Sequence, residues 1–411
     1  MAKGFFMPME LKTTSTTIPN CGACGLHKQC KNPFMKVIGK GQRKILIIAN
    51  QPDEVDDRHN RNFSGPYAGE LRGRLVKLGI DLREDCWTFT ALSCYSSTKP
   101  NPNSVEWCRP NVIKVIQELK PKVILLLGNE AVKSVLGWVW KPDCGPVNRW
   151  LGYTIPCRKL NAWIICNYHP DELITKSYDV PLSVLFDRYL QPLKNLKERP
   201  FDKKEAKRNF ENEVEVILDT HAIVNAVKHF MKDRAIAFDY ETNMLKPDSS
   251  DSRIVSCSIS NGVRTIAFPW MGNDVKEQVK ILLTNSEYKI ASNMKFEDRW
   301  TRKHLNCEVN KWHPCGDTML TAHCLDNGEK PSQKKLGRSI SSIKFQAFVH
   351  LGVPDWDSHI TPFLKGKENS GYSKNKIHEV GLTKLLIYNG LDSLYEYLVW
   401  QKQKQFIRSS I

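Results

Sequence analysis

Three short stretches in the second half of this 411-residue chain carry side chains that could bind metal ions. Asp239 and Glu241 end an apolar run that predicts a buried strand, and they share one face because side chains alternate along a strand. A second stretch, 293–298, ends in two acidic residues. In a third, Tyr388 and Asp392 are one helical turn apart and lie on one face. Converging carboxylates cannot all stay ionised without cations, so the pattern predicts a Mg²⁺ or Mn²⁺ site.

The first half of the chain carries nine of the 13 cysteines, all before residue 167. Cys21 and Cys24 form a chelating Cys-x2-Cys pair, Cys30 adds a third thiol, and Cys94 and Cys108 could supply the remaining ligands. Zinc knuckles and redox pairs share the Cys-x2-Cys spacing, so the spacing alone leaves both open. In a chain without a secretion signal, cysteines favour metal sites or free thiols over disulfides.

The elements that would position these residues alternate between strands and helices in the first half, which predicts a mainly parallel α/β sheet with functional loops at the strand ends. The predicted strands are 45–50, 87–94, 120–128 and 163–168, and the predicted helices are 70–78 and 131–136. In the second half, Val214 begins a strand, Ala222 begins an amphipathic helix, and the strand with Asp239 follows. The Lys/Glu-rich stretch 194–212 has no apolar period and is typical of an interdomain linker.

Length and composition bound the class of protein. A chain of 411 residues predicts two domains, and 41% hydrophobic residues are ample for two cores. There is no apolar run long enough to cross a bilayer and no signal peptide, so we expect a cytoplasmic protein with no membrane partner. The net charge of +16 favours a polyanionic partner such as nucleic acid.

The order of the three acidic motifs resembles that of the DEDD exonucleases with tyrosine in the third motif. The nearest resemblance is to the proofreading domain of family A DNA polymerases, over residues 214–411. It implies an RNase H-like mixed sheet and 3′→5′ exonuclease activity with two Mg²⁺ or Mn²⁺ ions about 4 Å apart. By this resemblance Asp239, Glu241 and Asp392 would bind the ions, and Tyr388 would orient the attacking water.

The second motif departs from the family pattern. Glu297 occupies the place where the family has aspartate, and Asp298 follows it. Adjacent residues lie about 100° apart around a helix, so we expect only one of these two residues to face the site. We favour Glu297 and keep Asp298 as the alternative. The resemblance also implies that Asn293 and Phe296 contact the substrate.

Further likeness lies between the second and third motifs. Asp317-Thr-Met resembles the start of a helix in the same domain, with Asp317 as its cap, and the stretch 343–357 resembles versions of the domain carried by bacteriophages. Nineteen residues follow Asp392, too few for a polymerase domain. We therefore expect a chain that does not polymerise, that partners a separately encoded DNA polymerase, and that lies in the host cytoplasm if a phage encodes it.

The first half, over residues 17–195, resembles the family 4 uracil-DNA glycosylases, which carry a [4Fe-4S] cluster. By this resemblance Cys21, Cys24, Cys94 and Cys108 would ligate the cluster, since thiolates suit iron–sulfur clusters, although zinc on the same four ligands is an alternative. Cys30 stands where the family usually has arginine and is a spare or substitute ligand.

The pocket residues implied by this second resemblance match less closely. Asn50, followed by Gln51, stands where the family has the glutamate that positions water, and Asn50 cannot accept a proton. Tyr67 takes the place of the aromatic residue that stacks on the flipped base, and Thr90 that of the asparagine that reads the uracil edge. His169 is retained. The base-flipping pocket is therefore expected to survive with altered chemistry or selectivity.

Together these observations predict two α/β domains: residues 1–195 as a glycosylase-like domain with a cysteine-ligated cluster, 196–213 as a basic linker, and 214–411 as the exonuclease domain. The leading hypothesis is a metal-dependent 3′→5′ exonuclease that acts on single-stranded or frayed DNA ends in replication or repair. The alternatives are a glycosylase for uracil or another modified base coupled to a nuclease, and a non-catalytic DNA-binding scaffold in a replication complex.

Overall fold

The computed structural model of the protein describes residues 21–177, 179–309, 315–325, 340–366 and 371–409. Within these residues the chain forms two β-sheets, one in each half, with helices packed against both. The predicted fold class, two α/β domains of which the second has a mixed sheet, is confirmed.

The first sheet has five strands in the order β2-β1-β3-β5-β4. The strands are β1 Ile45–Ala49, β2 Cys86–Thr90, β3 Val123–Leu127, β4 Thr154–Cys157 and β5 Ala162–Asn167. All neighbours are parallel except β4, which runs antiparallel to β5. Every residue of β1 and β3 is buried, as expected for central strands of a parallel sheet that helices cover on both faces.

The helices of this half occupy the connections that the alternating pattern predicted. They are α1 Glu54–His59, α2 Pro66–Val76, α3 Ser104–Leu119, α4 Asn129–Val139, α5 Asp171–Thr175 and α6 Val180–Leu190. Helix α2 begins four residues before the predicted start at Glu70, because Pro66, with its fixed φ, suits the first helical position. Helix α4 extends beyond the predicted 131–136 at both ends.

The second sheet has six strands in the order β11-β10-β7-β8-β9-β6, with both parallel and antiparallel neighbours. The strands are β6 Val214–Val216, β7 Ala235–Thr242, β8 Ile254–Ser260, β9 Thr265–Pro269, β10 Tyr288–Ala291 and β11 Cys315–Asp317. The helices are α7 Thr220–His229, α8 Asn273–Asn285, α9 Met294–Leu305, α10 Thr318–Leu325, α11 Ile343–Leu351, α12 Thr361–Leu364 and α13 Leu382–Ser409.

Helix α13 packs across the centre of the second sheet, against β7, β8 and β9. Leu386, Leu391, Leu394 and Val399 are almost fully buried on it. This packing fixes the helix over the strand with Asp239, which brings the first and third acidic motifs together.

The two halves share a hydrophobic core, which the sequence did not predict. Phe345 and Phe348 of α11 belong to the core of the first domain, whereas Ile343, Ala347 and Leu351 of the same helix belong to a core of the second. The Phe348 ring stacks on Trp140 at 5.4 Å, and the Phe345 ring lies 5.0 Å from Trp150. Helix α11 therefore packs against the cores of both halves of the chain.

The predicted linker, 196–213, lies against the first domain. The Arg199 guanidinium donates to the Asn161 carbonyl at 2.7 Å, and Arg158 forms a 2.8 Å ion pair with Glu205. The segment contains short 3₁₀ turns rather than a long helix or strand. Polar contacts thus hold this connection in place although it has no apolar period.

Among the described residues, no helix is long and apolar enough to cross a membrane.

Candidate functional site

The acidic site forms where strand β7 meets helix α13. Asp239 and Glu241 lie on one face of β7, and Asp392 lies on α13 above them. One carboxylate oxygen of each of these three residues lies within 4.8 Å of the other two. The three predicted metal ligands from the first and third motifs are therefore neighbours in space.

The second motif contributes one acidic residue to this site. Glu297 on α9 is 2% exposed, and its Oε2 atom has no hydrogen-bond partner among the described residues. Asp298 points elsewhere: its carboxylate accepts from Arg302 Nε at 2.7 Å and from the Val309 amide at 2.8 Å. Burial raises the pKa of Glu297, and the nearby charges of Asp239 and Glu241 raise it further, so Glu297 rather than Asp298 lies beside the acidic cluster.

Glu396 is an acidic residue at the site that sequence reasoning missed. It lies one turn beyond Asp392 on α13 and is 1% exposed. Its Oε1 atom accepts from the Ser292 amide at 2.9 Å, while Oε2 has no partner in the described part of the chain. The signal that could have found it is its spacing of four residues from Asp392, which places both on the same helix face.

Burial and mutual repulsion dominate the electrostatics of the cluster. Burial raises the pKa of Asp239 well above its usual range, and the Asp392 charge raises it further. The same causes, burial first and then neighbouring carboxylates, raise the pKa values of Glu241, Glu297 and Glu396. Without cations these groups would hold protons, whereas oxygen ligands of this kind and number suit Mg²⁺ or Mn²⁺.

Two donors hold Asp392. Lys344 Nζ forms a buried ion pair with Asp392 Oδ1, and Trp356 Nε1 donates to the same oxygen at 2.8 Å. Burial lowers the pKa of Lys344, but the charges of Asp392 and Asp357 outweigh that effect, so the pKa is raised and the side chain stays an ammonium ion.

Tyr388 and Asn389 support the cluster from α13. Tyr388 is 4% exposed, and burial followed by the Asp392 charge raises the pKa of its hydroxyl well above the usual value, so it remains protonated. Asn389 donates from Nδ2 to Asp239 Oδ2 at 2.7 Å and accepts from Ser256 Oγ at 3.0 Å. Asn389 therefore fixes the orientation of the Asp239 carboxylate.

A small cavity of about 130 Å³ lies at the start of α9. Asn293, Phe296 and the exposed Leu245 line it, which places two of the predicted substrate contacts together. Asn293 has the left-handed φ of 69° that asparagine tolerates. Asp317 caps α10 through the Leu320 amide as predicted, and it also accepts from the first amides of α9.

The first domain has a separate cavity of about 670 Å³. Four of the five predicted pocket residues line it: Asn50, Gln51, Tyr67 and His169. Thr90 is fully buried in β2 and is not among the residues that line the cavity. Asn50 Oδ1 accepts from the Glu130 amide at 3.1 Å, which fixes the amide side chain.

His169 and Tyr67 lie side by side in this cavity, with ring centroids 5.0 Å apart. Burial lowers the pKa of His169 to about 4, so its imidazole is neutral near pH 7. Since its Nδ1 accepts from the Asp171 amide at 3.3 Å, the proton lies on Nε2, which has no partner among the described residues. The Tyr67 hydroxyl donates to Asp56 at 2.9 Å.

Asp53 is a carboxylate of this cavity that the sequence reading did not single out. Its Oδ1 caps α1 through the Asp56 amide at 2.7 Å, while Oδ2 is buried without a partner in the described structure. Burial raises the pKa of Asp53. Gln51 Oε1 and His169 Nε2 are likewise buried without a partner among the described residues.

Five cysteines gather beside this domain. Cys94 is buried with Leu26, Leu92 and Val105, and Cys24, Cys30 and Cys108 pack against that group. Burial, followed by the charges of neighbouring thiols, raises the pKa of Cys94 to about 12. The same causes raise the pKa of Cys21 above its usual value. The predicted cluster ligands are thus close enough to influence one another, with Cys30 beside Cys94.

The first domain matches known proteins in sequence. Residues 36–194 match the family model of the Uracil DNA glycosylase superfamily. The Type-4 uracil-DNA glycosylase of Pyrobaculum aerophilum is 28% identical over 201 residues, which cover 45% of this chain and 100% of that protein. The same enzyme of Archaeoglobus fulgidus is 25% identical over 157 residues, 37% of this chain and 77% of that protein. The predicted resemblance of the N-terminal half is confirmed.

Solved structures are also similar to this chain. The catalytic core of RRP6 from Trypanosoma brucei aligns with a TM-score of 0.32 and 15% identity over 48% of each chain, so this chain spans about half of it. The Aedes aegypti Nibbler EXO domain (TM-score 0.33, 13% identity) aligns over 48% of this chain and 91% of its own. Escherichia coli RNase D, an exoribonuclease, aligns with a TM-score of 0.32 and 14% identity over 48% of this chain and 46% of its own. This chain is therefore similar to the Uracil DNA glycosylase superfamily over residues 36–194, and to solved structures that include an exoribonuclease over 48% of its length.

Proposed function

We propose that this protein is a metal-dependent 3′→5′ exonuclease that acts on DNA, with a glycosylase-like domain that binds the same nucleic acid. The observation that carries the proposal is the convergence of Asp239, Glu241 and Asp392 within 4.8 Å. Two further buried carboxylates, Glu297 and Glu396, each keep one unpaired oxygen beside them. A cluster of buried like charges is costly unless cations bind it.

Each side chain has a role in this proposal. Two bound divalent cations would activate water and stabilise the leaving oxygen of the scissile phosphate. Asp239, Glu241 and Asp392 hold the cations, and Asn389 keeps the Asp239 carboxylate in one orientation. The protonated Tyr388 hydroxyl orients the attacking water, which a phenolate could not do by donation.

The substrate is proposed to be a single-stranded or frayed 3′ end. Leu245 and Phe296 line the cavity beside the second motif, where they would contact the terminal base. The net charge of +16 favours a phosphate backbone as the partner. DNA is preferred over RNA because the first domain is similar to DNA glycosylases. A separately encoded DNA polymerase would supply mispaired 3′ ends, as the resemblance to proofreading domains implies.

The first domain is proposed to hold a [4Fe-4S] cluster on Cys21, Cys24, Cys94 and Cys108. The proximity of these thiols supports a shared metal group. Zinc on the same four thiolates is the alternative occupant of this site.

A glycosylase activity is the second candidate function, and Asp53 is the observation that favours it. Asn50 cannot accept a proton, but Asp53 lines the same cavity, and its unpaired Oδ2, which is buried in this structure, could activate water once rotation of the side chain exposes it. The His169 Nε2 donor could bind a carbonyl oxygen of a flipped base. An abasic product from a single-uracil oligonucleotide, made by an Asp239→Ala variant and lost in Asp53→Asn, would support this activity.

The leading proposal is tested with 5′-labelled single-stranded DNA and RNA oligonucleotides, with Mn²⁺ and with EDTA. We expect stepwise shortening of the DNA from its 3′ end with Mn²⁺ and none with EDTA or with Asp392→Asn. Faster shortening of RNA would change the substrate class. No shortening of either polymer at any Mn²⁺ concentration would favour the non-catalytic scaffold.

A further inference from the structure

We infer that Lys344 is a positioning residue of the acidic site: its ammonium group holds Asp392 while no divalent cation is bound, and it competes with the cations that enter. The inference rests on the proposed metal-dependent function and adds a residue to it. Lys344 does not belong to any of the three acidic motifs, and it comes from helix α11, between the second and third of them.

The contacts of Lys344 confine its ammonium group to the site. Nζ pairs with Asp392 Oδ1, lies 4.8 Å from the centroid of the Trp356 ring and 4.6 Å from that of Tyr388. Two aromatic faces and a carboxylate together form a favourable enclosure for a cation. The side chain is 17% exposed, so water gives the charge little compensation.

The oxygen that Lys344 occupies has no capacity left for a metal ion. A carboxylate oxygen has about two lone pairs, and Asp392 Oδ1 already accepts from Lys344 and from Trp356. A cation that uses Oδ1 must therefore displace one of these donors. Lys344 is the donor that a cation repels, since both carry positive charge.

The charge of the cluster explains why such a residue is needed. The carboxylates of Asp239, Glu241 and Asp392 converge within 4.8 Å of one another, and the buried Glu297 and Glu396 each keep one oxygen without a partner among the described residues. One ammonium group offsets one negative charge in the metal-free protein. When two divalent cations bind, they supply that compensation, and the ammonium becomes a nearby like charge that weakens their binding.

The backbone of Lys344 cannot move away easily, because the next residues are fixed in the other domain. Phe345 is fully buried and Phe348 is 1% exposed, and they pack on Trp150 and Trp140. On the same side, Lys141 pairs with Asp355 at 3.1 Å. Displacement of the ammonium must therefore occur by rotation of the Lys344 side chain, while the first domain holds its helix in place.

The test compares Mn²⁺ binding and thermal unfolding of the full chain. The variants are Lys344→Met, Lys344→Gln, Lys344→Arg and the control Lys228→Met, which removes an exposed charge on α7. Bound Mn²⁺ is measured by the loss of its free electron paramagnetic resonance signal, and unfolding by circular dichroism in EDTA.

We expect Lys344→Met and Lys344→Gln to bind Mn²⁺ about tenfold more tightly than the natural chain, since a like charge next to the site is removed. In EDTA both variants should unfold at lower temperature, because the carboxylates lose their counter-ion. Lys344→Arg and Lys228→Met should keep the natural affinity. If Lys344→Met does not fold, the Gln and Arg variants decide the question.

Two results would overturn the inference while leaving the proposed function intact. Unchanged Mn²⁺ affinity in Lys344→Gln, with lower stability, would make Lys344 only a structural ion-pair partner. Weaker Mn²⁺ binding would mean that Lys344 orients Asp392 for the metal instead of competing with it. If neither the natural chain nor any Lys344 variant binds Mn²⁺, both the inference and the proposed function fail.

Discussion

The acidic site and the cavity of the first domain bury polar groups in opposite ways. The acidic site gathers carboxylates whose pKa values are raised by burial and by one another, and in the proposed function cations would compensate their charge. The cavity of the first domain instead keeps a neutral imidazole, because burial lowers the pKa of His169 to about 4. The first arrangement depends on charge and calls for metal ions, whereas the second depends on hydrogen-bond donors and acceptors and suits an uncharged base.

The two sites also differ in how they connect to the other domain, because only the acidic site includes a residue from a helix that packs into the core of the other domain. Lys344 reaches the acidic site from α11, and the same helix fills the core of the first domain with Phe345 and Phe348. A change in the shared core is therefore expected to reach the acidic site through one helix. The cavity of the first domain, which is lined by residues before 172, has no comparable contribution from the second half in the described residues.

The largest expected effect is a loss of DNA shortening that leaves any activity of the first domain unchanged. Asp392→Asn should lower the rate of DNA shortening by on the order of a thousandfold, since loss of a ligand removes several kcal/mol of transition-state stabilisation. The rate is measured with a 5′-labelled oligonucleotide at saturating Mn²⁺. Any base excision by the first domain should persist in this variant, and a parallel loss of both activities would contradict the separation.

The next effect concerns the shared core. Phe348→Ala should destabilise the protein by about 3–5 kcal/mol, because it removes a buried aromatic ring that packs on Trp140. Urea unfolding followed by circular dichroism measures it. Val263→Ala, at a residue that is 92% exposed, is the control and should change little. A loss of less than about 1 kcal/mol for Phe348→Ala would mean that the domains do not depend on this contact.

A smaller effect distinguishes the acidic residues at the edge of the site. Glu297→Gln and Glu396→Gln should each lower the shortening rate by about 10–100-fold, as expected for groups that support the ligands. Asp298→Asn should leave the rate within about twofold, because its contacts are to Arg302 and Val309. A larger loss in Asp298→Asn than in Glu297→Gln would reverse the assignment of the second motif.

The smallest effect is a difference in pH dependence between the two sites. The carboxyl groups whose pKa values are raised in the folded protein contribute stability that is fully present at a pH below their pKa values in the unfolded chain. This contribution is lost as the pH rises through their pKa values in the folded protein. His169, with its pKa lowered from 6.5, contributes stability that is present above pH 6.5 and lost as pH falls towards about 4.

In EDTA, acidification should therefore strengthen the acidic site and weaken the cavity of the first domain. Thermal unfolding between pH 8 and about 5 measures the balance. Glu396→Gln should reduce the stability gained on acidification, and saturating Mn²⁺ should suppress that gain. His169→Asn should reduce the stability lost below pH 6.5. Identical pH profiles for the two variants would contradict the contrast.

Much of the second domain could be predicted because its chemistry is a pattern of charges at fixed spacing. Asp239 and Glu241 share a strand face, and Tyr388 and Asp392 share a helix face, so local periodicity was sufficient. The choice between Glu297 and Asp298 needed the helix orientation. Lys344 could not be found by pattern, since it comes from a helix whose position depends on packing against the other domain.

The first domain was predictable in architecture and less so in its cavity. The apolar runs of β1 and β3 gave the buried parallel strands directly. Asp53 was missed because helix capping is the common role of an aspartate at that position, and its unpaired Oδ2 becomes evident only in the structure. Thr90 is buried in β2 rather than exposed to the cavity, which one sequence could not reveal.

The most direct test of the account is a crystal structure of the protein soaked in Mn²⁺, with anomalous scattering used to locate the ions. We expect two Mn²⁺ peaks about 4 Å apart, bound by Asp239, Glu241 and Asp392. We also expect that Lys344 Nζ has moved away from Asp392 Oδ1. Full Mn²⁺ occupancy elsewhere, with no peak between these three carboxylates, would contradict the account.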